Sequence, residues 1–120
     1  MAFIYDTAFD AAIAVVITNG TALSLCSQEP ANYAGVGTYG LAKDTTVTCA
    51  AASDGASNGR RTVVPACDCV GSGSGTATHW ALHNNSNTLV ATGALPSGVS
   101  ISSGPTYTTA TFSITIADAS

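Results

Sequence analysis

The chain is predicted to be mainly β, an antiparallel β-sandwich or jelly-roll-like arrangement with one N-terminal helix, and three observations carry that expectation. Short runs of alternating apolar and hydroxyl residues recur between Gly, Pro, Asn and Ser turn signals, the pattern of sandwiches and barrels. Ser and Thr supply about a quarter of the chain, and the stiff β-branched Thr side chain suits a pleated surface. The length of 120 residues is enough to bury one core. Residues 1–120 therefore read as a single domain, with a helix over 5–18 and a sandwich over 21–116.

The helix rests on Phe9, Ile13, Val16 and Ile17, which recur at spacings of three and four, with Asp6 and Asp10 on another side. Asp6 or Thr7 is the candidate cap, and Asn19-Gly20 the stop signal, since both residues tolerate positive φ. Ala11–Thr18 would also serve as a buried strand, because Val, Ile and Thr favour strands; length and caps favour the helix. Thr21–Ser27 alternates and reads as a strand. Gln28–Gly40, with its Gly, Pro and two tyrosines, reads as a loop, Thr45–Cys49 as a strand and Ala52–Gly59 as a turn. Arg60–Val70 is the next strand, and Pro65 within it implies a sheet edge or a bulge, because proline donates no ladder bond. Gly71–Gly75 is a flexible connection. Thr76–His83 is the best-defined strand, with Trp80 and Leu82 on one face and His79 and His83 on the other. A tight turn at Asn84–Asn87 returns it antiparallel along Thr88–Ala94. Leu95–Gly98 reads as a turn, Val99–Ser102 as a short strand, Ser103–Pro105 as a break, and Tyr107–Ile116 as the closing strand.

Composition narrows the function. Charged residues are 8% of the chain, against about 25% in an average domain, so hydroxyls and amides take the place of charge on the surface. The net charge is −4, and Lys43, Arg60 and Arg61 are the only lysine and arginines, too few to neutralise a phosphate backbone. No nucleic-acid partner is expected. Nor is a membrane expected, since the longest apolar stretch, Ala11–Ile17, falls far short of the ~20 residues a spanning helix needs. No basic segment precedes it, and Asp6 and Asp10 stand where a signal peptide would carry positive charge. Synthesis in a cytoplasm is the expectation.

One stretch of the sequence has a wider likeness. Asn58-Gly59-Arg60, then Gly73-Ser74-Gly75-Thr76-Ala77-Thr78-His79-Trp80-Ala81-Leu82, then Leu89-Val90-Ala91-Thr92-Gly93-Ala94-Leu95 resembles small virion proteins of tailed bacteriophages and prophages. Leu23–Pro30 fits the same helix, strand and Pro-containing loop order. The resemblance covers well over half of the chain and implies a virion component rather than a defined activity. Physically the motif is a core hairpin, in which Trp80 buries a large apolar area beside Leu82, Leu89 partners them from the returning strand, and Gly93 permits a bulge or close approach.

Four cysteines are the main polar feature: Cys26, Cys49, Cys67 and Cys69. Zinc held by Cys67, Cys69, His79 and His83 is disfavoured. In an extended C-x-C segment the sulfurs sit roughly 6–7 Å apart, and the two histidines would be about 13 Å apart, whereas structural zinc sites use C-x2–4-C knuckles. No cofactor is implied. Disulfides remain candidates at all four positions, with Cys26 and Cys49 as potential cross-strand partners; such bonds would form within or between subunits once a particle leaves the reducing cytoplasm. A Cys67 or Cys69 nucleophile with His79 and Asp68 lacks any recognised signature, and Gly71–Gly75 lacks the Lys and Ser/Thr of a phosphate loop. No enzymatic activity is expected. The leading expectation is a capsid decoration protein, stabilising the head from the outer shell as a homo-oligomer, a trimer being favoured, bound to the major capsid protein and assembled in the host cytoplasm. The alternative is a tail, neck or fibre component that binds a partner protein or a host glycan through surface tyrosines such as Tyr33, Tyr39 and Tyr107.

Overall fold

The computed structural model describes residues 6–54 and 60–116. Its elements are α1 (Asp6–Asn19), β1 (Ala22–Cys26), α2 (Tyr33–Tyr39), β2 (Gly40–Asp44), β3 (Ser53–Asp54), β4 (Arg60–Val64), β5 (Asp68–Gly71), β6 (Gly75–His83), β7 (Leu89–Ile101), β8 (Thr106–Thr108) and β9 (Phe112–Ile116). The strands form a six-stranded sheet in the order β7-β6-β1-β2-β5-β8 and a three-stranded sheet in the order β3-β4-β9. Every pairing is antiparallel, so the expected mainly β, sandwich-like class with an N-terminal helix is the one observed.

Both sheets contribute to one core. Leu23 and Leu25 of β1 and Leu82 of β6 meet Val64 of β4, Cys67, and Cys69 of β5, with Phe112 and Ile114 of β9 packed alongside. Helix α1 lies on β4 and directs Val16 and Ile17 at the same core. The expected caps, Asp6 and Thr7, fall on side chains outside those described. Asn19-Gly20 does end the helix, though neither residue takes a positive φ. Gly20 N–H donates to Val16 O at 2.7 Å, and the chain passes so close that a Cβ on Gly20 would lie 2.8 Å from a Leu82 methyl carbon. Close approach, rather than backbone handedness, is what requires glycine there.

Four elements differ from expectation, each for a local reason. The predicted loop Gln28–Gly40 contains the seven-residue helix α2, which Gly35 and Gly37 disguise. Asn32 starts it by accepting Gly35 N–H at 3.0 Å, and Val36 is buried beneath it. The strand expected at Thr45–Cys49 forms at Gly40–Asp44 instead. The alternation of 45–49 still sets facing, since Val47 and Cys49 are buried between exposed Thr46 and Thr48, but no ladder forms. Asp44 closes β2 by accepting the Thr46 N–H and hydroxyl, both at 2.8 Å, and the Asp68 N–H at 2.9 Å. The predicted turn at 52–59 lies partly outside the described residues, and Ser53–Asp54 within it pairs as β3.

The predicted strands Arg60–Val70 and Tyr107–Ile116 each divide between the two sheets. Val64↔Phe112 and Asp68↔Thr108 belong to one continuous register, interrupted by residues 65–67 opposite 109–111. Buried positions are Thr62 and Val64 before this corner and Cys67 and Cys69 after it, so the inward face switches from even to odd numbers. Pro65 sits between β4 and β5, where the ribbon leaves one sheet for the other. Thr109 clamps the bend, its N–H donating to Cys67 O at 2.8 Å and its hydroxyl oxygen accepting Cys67 N–H at 2.9 Å.

The β6–β7 hairpin forms around the expected turn, where Asn84 Oδ1 accepts the N–H groups of Ser86, Asn87 and Thr88. Leu95–Gly98 is a bulge within β7 rather than a turn between strands, because Ala77 pairs Val99 while His79 pairs Ala94. A second irregularity between Leu82 and His83 places Leu89 away from Trp80 and Leu82. It packs with Cys26, Val36 and Ala81, a correction to the hairpin core expected from sequence. Gly93 is opposite Trp80, and a Cβ there would fall 2.5 Å from the indole ring. Gly93→Ala is therefore expected to cost about 1–3 kcal/mol through overpacking, read as a lower urea midpoint together with a shifted emission maximum from Trp80, the chain's one tryptophan.

Candidate functional site

The outer face of the six-stranded sheet carries the most concentrated polar chemistry among the described residues. Alternation along β1 and β6 sends Leu23, Leu25, Trp80 and Leu82 to the core and places Ser24 and His83 on the opposite face. Helix α2 covers that face only in part, leaving a cavity of about 240 Å3 lined by Ser24, Tyr33, Val36, Lys43, His83 and Asn85 among others. Ser24 and His83 are 2% and 1% exposed. Ser24 Oγ lies 2.8 Å from His83 Nε2, and the Tyr33 ring meets the imidazole edge-on at 5.8 Å.

The sense of the Ser24–His83 bond is fixed by the other ring nitrogen. Asn85 N–H donates to His83 Nδ1 at 3.0 Å, so Nδ1 is an acceptor and the proton of the neutral ring resides on Nε2. Burial, aided by the nearby Lys43 charge, pushes the His83 pKa down to about 4, which keeps the ring neutral near pH 7. Nε2–H then donates to Ser24. A general base would have to accept from that hydroxyl, so the pair is wired in the opposite direction from a nucleophile–base dyad. Lys43 Nζ donates to Asn85 Oδ1 at 2.9 Å, completing a chain from the cation to the serine.

The residues singled out from sequence are dispersed. All four cysteines are free and buried. Cys49, Cys67 and Cys69 belong to the main core, while Cys26 lies in the smaller cluster under α2, so the suggested Cys26–Cys49 pair is divided between two clusters. Burial pushes the Cys69 thiol up to about 12 and the Cys26 thiol up to about 11, and raises Cys49 and Cys67. Thiols so placed are poor nucleophiles, and a bond to a neighbouring subunit needs an exposed sulfur. His79 and His83 share the outer face with Cys26, away from Cys67 and Cys69. Asp68 is exposed and accepts the Thr108 hydroxyl at 2.7 Å. Among the described residues no three His, Cys, Asp or Glu side chains are grouped to hold a metal.

Two apolar surfaces accompany the polar cavity. A groove of about 400 Å3 opens between the sheets, lined by Trp80, Leu95, Val99, Tyr107 and Phe112 among others. Trp80 and Phe112 meet there with centroids 4.4 Å apart and ring planes tilted by 41°. On α1, Ala11, Ala12, Ala14 and Val15 are exposed although Ile13 is buried, and Val15 is 59% exposed. No helix among the described residues is long and apolar enough to cross a membrane.

Sequence reading missed the Ser24–His83–Asn85 arrangement. Ser24 is one hydroxyl among many, and its meeting with His83 depends on the β1–β6 register, which places Ala22 opposite His83 and Ser24 opposite Ala81. The short spacing from His83 to Asn85, at the mouth of an Asn-rich turn, was the one local signal. No family model, curated protein or solved structure matches the chain.

Proposed function

We propose that this chain is a structural protein of a bacteriophage particle, a decoration protein that stabilises the head from the outer shell and acts by packing against copies of itself and against the major capsid protein. The observation that carries this reading is helix α1. Its segment Ala11–Thr18 holds no charged residue, yet Ala11, Ala12, Ala14 and Val15 face outward. A helical stretch that is apolar on every side, as Ala11–Ile17 is, belongs in an interior, and the missing wall is supplied by a neighbouring subunit. The resemblance of the Trp80 hairpin motif to small virion proteins supports the particle context, and the sparse charge suits an exterior surface. The His83 tautomer and the buried thiols favour a structural role over a catalytic one.

The decisive measurement is copy number in purified particles by quantitative mass spectrometry. Hundreds of copies are expected; six to a few dozen would support the tail, neck or fibre reading instead, and absence from particles would end both. For the isolated protein, sedimentation equilibrium is expected to show a homo-oligomer, a trimer being favoured. Val15→Glu, at an exposed position, is expected to weaken association about tenfold or more, roughly 1.4 kcal/mol, without lowering the unfolding midpoint of the monomer.

A further inference from the structure

We propose that the cavity between α2 and the outer face of the six-stranded sheet is a carboxylate-binding site, with the Ser24 hydroxyl and the Lys43 ammonium as its donors. The inference follows from an accounting of protons. His83 Nδ1 is occupied by Asn85 N–H, so Nε2–H donates to Ser24. Ser24 Oγ therefore accepts, and its own proton remains to be given. No acceptor among the described residues takes it, although the side chain is 2% exposed and lines the cavity. A buried donor of this kind is costly unless an occupant of the cavity satisfies it.

Charge narrows the occupant. Lys43 lies directly across the β1–β2 ladder from Ser24, which puts both side chains on one face of the sheet. Its Nζ gives one hydrogen to Asn85 Oδ1 and has two more to offer. No acidic residue lines the cavity. Two converging donors, one of them cationic, match the two oxygens of a carboxylate and form charge-assisted bonds to it. Tyr33, Ala34, Val36 and Gly37 of α2 make one wall of the cavity, a largely apolar shelf for a short substituent, with Ser72 also in the lining, and about 240 Å3 admits a small acid or the end of a chain. A carboxylate reaches such a site either as a free small acid or as the C-terminus of a peptide.

The test is a two-dimensional amide NMR titration at pH 7 and constant ionic strength. The probes are sodium acetate, sodium propionate, acetyl-diglycine and the C-terminal amide of acetyl-diglycine, against sodium chloride. Saturable shifts are expected at Ser24, Gly37, Lys43 and Asn85 with the acids. The affinity is expected to fall at least tenfold in Ser24→Ala and to be lost in Lys43→Met, both retaining the wild-type spectrum elsewhere. Tighter binding of acetyl-diglycine than of acetate identifies a chain end as the ligand, and equal or weaker binding identifies a free small acid. The proposal is overturned if no acid saturates, as for a cavity filled by water alone, if chloride or the amide gives the same shifts, or if Lys43→Met binds as the wild type does.

Discussion

Replacing Trp80 by alanine is expected to lower the unfolding free energy by about 3 kcal/mol, the lower end of the range for large aromatic truncations because the ring also lines the groove. The size of the effect comes from where the ring stands. Trp80 belongs to β6 in the six-stranded sheet, and Phe112, with its centroid 4.4 Å away, belongs to β9 in the three-stranded one. The pair is therefore a direct side-chain contact between the two sheets. Trp80→Leu and Phe112→Leu combined in a double-mutant cycle are expected to show a coupling of about 0.5–1.5 kcal/mol. Urea unfolding followed by far-UV circular dichroism supplies all the values. Additivity within about 0.3 kcal/mol would mean that the ring contact does not join the sheets energetically.

The second large effect is acid instability set by His83. Its pKa is about 4 in the folded protein and 6.5 as the ordinary value. Between those values the unfolded chain binds more protons than the folded one, so stability is complete above pH 6.5 and declines as pH falls toward 4. The total loss is at most about 3.5 kcal/mol, from a shift of roughly two and a half units at about 1.4 kcal/mol each. Asp44, whose carboxylate is held below its usual pKa by hydrogen bonds from Thr46 and Asp68 that outweigh burial, loses its contribution only below about pH 4, its ordinary value being 3.8. The two windows are separate. His83→Gln retains an amide donor toward Ser24 without a titrating ring, and is expected to abolish most of the difference between urea midpoints at pH 7 and pH 4.5. An undiminished difference would assign the acid sensitivity to other groups.

Much of the architecture was legible from period and punctuation. The helix expected over 5–18, the strand around Leu23 and Leu25, and the hairpin turning at Asn84 followed from alternation, helical spacing and turn residues acting locally. What local reasoning missed was long-range. Leu89 alternates correctly with its neighbours, yet a ladder irregularity beside His83 moves it to another cluster. Pro65 was read correctly as incompatible with a regular ladder, but nothing near it in sequence states that the chain changes sheets there. Helix α2 was hidden because its stability derives from the Asn32 cap and from Val36 buried against the sheet, not from helix-forming residues. The Ser24–His83 site needed both a register and a tautomer, and the tautomer is decided by the backbone of Asn85.

The corner at residues 65–67 and 109–111 has a consequence for how the molecule unfolds. The same two chain segments furnish strands to both sheets, so neither sheet is encoded by a closed stretch of sequence that could melt and leave the other intact. Separating β4 from β9 frees the segments that anchor β5 and β8, and the loss of β5 strips the six-stranded sheet beside β2. Local openings at this ribbon are thereby tied to the global transition. The shared ribbon makes the two sheets one cooperative unit rather than separable layers.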